Sequence, residues 1–178
     1  MKLLQLYATF AISFLSYQAF STPIQEYDAK LGTSFEETNW PQSKFNMVHE
    51  SAGWGDAGDE GLLGYYYYKG GFVKQNYNEA LYWFYKGAID GDYLAQELLG
   101  HMYENGLGTT VDYTQAYRWY NVAASHAYNN DASILRANVA GKMSKDQIAE
   151  AQKLNGDRGP LTWVRDTWKQ YWHQLPVE

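Results

Sequence analysis

From Leu62 to Ala124 the apolar positions follow two superposed rhythms. The short one, at steps of three and four, is that of amphipathic helices; the long one repeats every 36 residues. At the long spacing Leu62, Leu63, Gly64, Tyr67, Gly70, Tyr77, Ala80, Trp83 and Ala88 return as Leu98, Leu99, Gly100, Tyr103, Gly106, Tyr113, Ala116, Trp119 and Ala124, while Phe84 returns as Tyr120. A period in the thirties belongs to helix pairs stacked side by side. The pattern therefore predicts an all-α fold, an α-α superhelix or solenoid of antiparallel helix pairs closed by C-terminal capping helices.

The array is expected over 41–142. Pro41 suits a first helical turn, and Phe45, Val48 and Ala52 follow at helical spacing before Gly53, giving a half repeat over 41–53. A full repeat over about 55–90 holds helices at 59–69 and 77–88, broken at Gly70-Gly71. The next, over about 91–126, holds helices at 93–105 and 113–126, separated by Gly106-Leu107-Gly108. A partial repeat over 130–142 carries Ile134, Leu135 and Val139. Capping helices are expected over 143–178: Ser144 and Gln147 form a capping box ahead of Ile148 and Ala151, and Leu161, Val164, Trp168, Trp172 and Leu175 share one stripe that would cover the last open face. The expected structural positions are Leu63, Gly64, Tyr67, Ala80, Trp83 and Ala88, then Ala95, Leu99, Gly100, Tyr103, Ala116, Trp119 and Ala124. At Gly100 a side chain is missing where the neighbouring helix must approach.

Ahead of the array, Lys2, a mostly apolar run over 3–15 and Ala19-Phe20-Ser21 read as a secretory signal peptide over 1–21, cleaved after Ser21. The run falls short of the roughly 20 apolar residues of a spanning helix and is diluted by Gln5, Tyr7, Thr9 and Ser13, so no stable membrane insertion is expected once it is removed. Residues 22–40, with Pro23, Gly32 and scattered charges, read as a linker or flexible arm. The chain has no cysteine, which excludes disulfide stapling and a lipidated cysteine. A periplasmic or secreted protein of a Gram-negative bacterium is the expected destination. With 178 residues the chain suits one domain. Its formal charge of −6, scattered cations and the acidic cluster over 56–60 make nucleic acid a poor partner. Seventeen tyrosines and seven tryptophans suit helices packed through large rings with a polar edge.

The motif Ala95-Gln96-x-x-Leu99-Gly100-x-x-Tyr103-x-x-Gly106-x-Gly108, followed by Asp112-Tyr113-x-x-Ala116-x-x-Trp119-Tyr120-x-x-Ala123-Ala124, resembles the Sel-one-like repeat family, relatives of the tetratricopeptide repeats. The resemblance covers about 52–152, including the ending Met143-Ser144-x-x-Gln147-x-x-Glu150-Ala151. The first unit departs from it, with Asp59 where the second has Ala95 and Gly70-Gly71-Phe72 in place of the second glycine turn. The resemblance implies an adaptor that engages a protein or peptide partner. Exported bacterial members are associated with host-cell contact, envelope assembly or neutralising a toxin, so a periplasmic immunity protein is an alternative. Some cysteine-rich exported relatives are linked to β-lactam binding or hydrolysis, a branch from which a cysteine-free chain stands apart; a cell-wall or β-lactam hydrolase is the remaining alternative.

With Ala95, Leu99 and Tyr103 facing inward, Glu97, His101 and Glu104 fall on another side of the same helix. Their counterparts one repeat earlier are Gly61, Tyr65 and Tyr68. The two rows side by side would make a partner groove, aromatic at one end and acidic with a histidine at the other. The run Tyr65-Tyr66-Tyr67-Tyr68 supports it, because four successive helical positions diverge and the core takes Tyr67 and one more at most. An ordinary solvated face is the plainer reading of the same residues.

Catalytic and metal chemistry find little purchase. Ser125 and His126 are adjacent on a helix, so their side chains diverge by about 100°, which defeats a nucleophile–base pair. Glu97 and Glu104 are separated by roughly 10 Å of helix rise, too far for easy chelation with His101. The glycine turns lack a preceding strand and a P-loop lysine. No enzyme activity, metal or cofactor is expected.

Overall fold

A computed structural model of the chain describes residues 42–70, 73–126 and 130–157. The expected leader over 1–21, the expected arm over 22–40, the second glycine of the first turn and the tryptophan stripe over 161–175 lie outside the described residues. Among the described residues there are seven helices and no strand: α1 Gln42–Gly53, α2 Ala57–Lys69, α3 Tyr77–Ile89, α4 Tyr93–Asn105, α5 Tyr113–Ala123, α6 Asn130–Ala140 and α7 Lys145–Asp157. Consecutive helices pack from α1 to α6, and α7 leans on α5. This is an all-α helical repeat solenoid.

The helix ends repeat as faithfully as the helices. Asp56 caps α2 by accepting the Asp59 N–H, and 36 residues later Asp92 caps α4 through Leu94 N–H. Asn76 and Asp112 do the same for α3 and α5. Each satisfies a donor that the first turn leaves without an intrahelical partner. At the other ends Gly70 and Gly106 take φ of 73° and 67°, a left-handed turn that a side chain would disfavour. The chain then returns so that Asn76 N–H and Asp112 N–H each donate to the tyrosine carbonyl, Tyr67 or Tyr103, nine residues back at 2.9 Å. Asp59 is tolerated where the second repeat has Ala95 because it stands half-buried in the first turn, where helix N-termini favour negative charge. The Ser144–Gln147 capping box forms in both directions at 3.2 and 2.8 Å.

Two contacts set the geometry of each unit. Within a hairpin, a Cβ on Gly64 would stand 2.9 Å from the Phe84 backbone nitrogen, and one on Gly100 would stand 2.5 Å from the Tyr120 ring. The missing side chains let the paired helices close. Between units, Trp83 meets the His49 ring edge-on at 6.1 Å, and Trp119 meets Tyr85 edge-on at 5.8 Å. Both members of the second pair lie 36 residues beyond those of the first, so the tryptophans hold equivalent stations. Trp119 is wholly buried, whereas Trp83 is half-buried against the smaller, exposed imidazole.

A buried polar position also repeats, with different chemistry. Glu60 pairs with Lys86 at 2.7 Å, and burial pushes its carboxyl above the usual range against the pull of that lysine. Its counterpart Gln96 donates to the Ala88 carbonyl at 3.0 Å and accepts from His126 Nε2 at 3.2 Å. The closing core gathers Ala116, Tyr117, Tyr120, Val139 and Ala151, and Gln152 donates to the Tyr117 hydroxyl.

Of the expected core, Leu63, Ala80, Ala88, Ala95, Leu99, Ala116 and Trp119 are buried, while Tyr67, Tyr103 and Ala124 are half-buried. The tyrosine run corrects the expectation that Tyr67 is the inward one. Tyr65, Tyr66 and Tyr68 are buried, and Tyr67 is the half-exposed ring. A helix inside a stack has neighbours on both flanks: Tyr66 reaches Phe45 of α1, and Tyr68 reaches Tyr77 and Phe84 of α3.

Candidate functional site

The two expected groove rows lie on α2 and α4, and the structure places them under the paired helices. Gly61 and Gly64 share a stripe with Tyr65 and Tyr68 at steps of three and four. A Cβ on Gly87 of α3 would stand 2.9 Å from the Gly61 nitrogen, while Gly64 and Tyr68 meet Phe84. In the second unit Gly100 and Glu104 meet Tyr120 of α5. The row is therefore the inner seam of each hairpin. Tyr65 and Glu97 are wholly buried and Tyr68 nearly so, which corrects their assignment to a partner-facing groove. His101 and Glu104 are partly buried at the open end of the seam.

That open end is a polar network. Asn105 Nδ2 donates to the His101 carbonyl at 2.9 Å and lies 3.2 Å from His101 Nδ1. A carbonyl can only accept, so this amide nitrogen is fixed as the donor, Nδ1 accepts, and the ring proton sits on Nε2, 3.2 Å from the Tyr68 hydroxyl. Glu104 accepts from the Tyr120 hydroxyl at 2.8 Å and pairs with Lys142 at 2.8 Å, while Lys142 also stands 5.5 Å from the Tyr113 ring centroid. Burial, joined by the charge of Glu104, pushes the Tyr120 phenol far up. With Lys142 on Glu104, this end carries less net negative charge than its carboxylate suggests.

Burial lowers the His101 pKa, against the opposing pull of Glu104. The folded chain thus favours the neutral ring that the Asn105 contact also requires. The unfolded chain binds the proton first, so stability contributed by His101 is complete above its ordinary value of 6.5 and is lost as the pH falls from there through the folded pKa. Thermal midpoints measured between neutrality and about pH 5 should fall more steeply for the parent chain than for His101→Gln. Parallel curves would contradict that role.

The neighbours Ser125 and His126 do not meet as a nucleophile–base pair. Ser125 donates to the Val122 carbonyl while His126 serves Gln96, so the two neighbours are engaged separately. Among the described residues no group of three or more His, Cys, Asp or Glu side chains could hold a metal ion, and no helix is long and apolar enough to cross a membrane. Burial lowers the pKa of Arg118 to about 10, against the pull of Asp112 and Glu150; periodicity alone did not single it out. Nor did it single out Trp54 and Met47, which are 85% and 69% exposed.

Known proteins agree with this architecture. Residues 62–92 and 94–128 match the Sel1 repeat. A stretch of 77 residues, 43% of this chain and 7% of the other, is 37% identical to chitin synthase regulatory factor 3 of Schizosaccharomyces pombe. Among solved structures the chain is similar to a protective antigen present in uropathogenic Escherichia coli strains and displaying an SLR fold, with a TM-score of 0.65 and 23% identity over 88% of this chain and 32% of that one. It is similar also to a Sel1 repeat protein from Oxalobacter formigenes, with a TM-score of 0.51 and 24% identity over 74% and 56% of the two chains. The chain thus spans well under two thirds of each of these relatives. Two in-phase matches to the repeat, on helices that stack with the same period, make this chain a helical repeat protein that carries Sel1-like repeats over 62–128.

Proposed function

We propose that this chain is an adaptor that holds a protein or peptide partner on its helical repeat surface, and that it does so outside the cytoplasm after loss of its leader. The observation that supports the reading is the pair of Sel1 repeats stacked in register, since such repeats generally mediate protein–protein contact. Their recurring side chains are spent on stacking, which leaves the exposed faces to a partner. The acidic balance of the chain favours a partner with basic character and capture that weakens with salt. The leader over 1–21 supports export.

Crosslinking in intact cells, followed by affinity capture of the full chain and mass identification, tests the reading. The expected result is one protein retained in near-stoichiometric amount, lost at high salt, from the same fraction in which the processed chain is found. Retaining only what an unrelated acidic protein of similar size retains would overturn it. Finding the unprocessed chain in the cytoplasm would overturn the export.

A further inference from the structure

The register of the array marks one more station of the tryptophan series, on α1, the first of the described helices. Counting back by 36 from Trp119 and Trp83 leads to Met47 on α1. Each tryptophan meets a ring carried by the helix one unit upstream, Tyr85 for Trp119 and His49 for Trp83. Met47 occupies the same station and is 69% exposed. Seven residues on, Trp54 is 85% exposed. Its N–H, shared between the Glu50 and Ser51 carbonyls at 3.2 and 3.0 Å, closes the last turn of α1, which brings it round to the side of Met47, roughly 10 Å along the axis. Exposed Glu50 lies between the two anchors and exposed Asp56 just beyond them. Lys44 stands at the opposite end of the helix.

We propose that this face of α1 docks a helix of a partner protein that presents an aromatic side chain to Met47 and Trp54 and lysine or arginine to Glu50 and Asp56. The stacking pattern supplies the aromatic requirement, because a ring from upstream fills this station in both later units. The carboxylates supply the basic one. Tryptophan and methionine are enriched in interface cores, and tryptophan dominates binding hot spots, while charges at the rim steer approach and fix register. The inference rests on the adaptor reading and adds where one contact lies and what chemistry it takes.

The test uses the full chain with 13C-labelled methionine methyls, whose four signals include exposed Met47 and wholly buried Met102. The probe is a synthetic helical peptide of leucine, tyrosine and lysine. Its addition should move the Met47 signal and leave that of Met102 in place, with salt reversing the shift. A peptide with glutamate for lysine should produce no shift. The double variant Met47→Glu/Trp54→Ala, altered only at exposed positions, should keep its thermal midpoint and weaken peptide binding by at least about tenfold, or 1.4 kcal/mol; Glu50→Lys should likewise weaken it, with Asp56 left in place as the cap of α2. Equal binding by the double variant, or equal binding of the glutamate peptide, overturns the proposal. So does a Met47 signal that shifts with protein concentration alone, which makes a second copy the occupant, or one that shifts when residues 22–40 are removed, which makes the arm the occupant. These outcomes leave the adaptor reading intact, because that reading stands or falls on capture in cells.

Discussion

Trp119→Ala should lower the stability of the chain by about 3–5 kcal/mol, the usual cost of emptying a large aromatic site that cannot collapse. Trp119 is wholly buried and set edge-on to Tyr85, so truncation removes both its apolar burial and a ring contact worth about 0.5–1.5 kcal/mol beyond area. Urea denaturation followed by circular dichroism would read the loss directly, and the thermal midpoint should fall by roughly 10 °C or more. Trp83→Ala supplies the internal comparison. It holds the equivalent station but is half-buried against His49, so it should lose roughly half as much or less. Equal losses would mean that the two stations differ less in burial than their exposures say.

The second large effect is expected from adding one carbon. Gly100→Ala would ordinarily help a helix by about 1 kcal/mol, yet its Cβ would stand 2.5 Å from the Tyr120 ring. That ring cannot swing aside cheaply, because its hydroxyl is bonded to Glu104 at 2.8 Å and Glu104 is held in turn by Lys142. The hairpin must open instead, and a net loss of about 1–3 kcal/mol follows from overpacking. Gly64→Ala should behave similarly, since one obstruction there is the Phe84 backbone itself. Gly53 has nothing within 4 Å of an added Cβ, so Gly53→Ala should be neutral or mildly stabilising. A Gly100→Ala chain as stable as its parent would refute the close approach.

Much of the fold was legible because the devices that build it recur at one spacing. The glycines at 64 and 100, those at 70 and 106, the tryptophans and the alanines at 88 and 124 mark the same places in successive units. The caps Asp56 and Asp92, and Asn76 and Asp112, obey the same spacing. Which face each helix buries was less legible. A single inward stripe is a fair expectation for a helix on a surface, but α2 and α4 lie between neighbours, and a second stripe is consumed by the hairpin partner. Tyr65 and Glu97 were misplaced for that reason. The signal that could have corrected them was already present in Gly64 and Gly100, which share the stripe of Tyr68 and Glu104 and mark it as the side where a helix arrives. Met47 is similarly readable as a member of the tryptophan series by its position, although its chemistry differs.

The ring-to-ring contacts between units test the central claim most directly. In an isotope-edited NOESY spectrum of the full chain, the indole protons of Trp83 should show cross-peaks to the His49 ring, and those of Trp119 to the Tyr85 ring. Both sets together are the signature of helix pairs stacked with one period. Cross-peaks from either tryptophan to a different helix, with the expected pair missing, would contradict the in-register array.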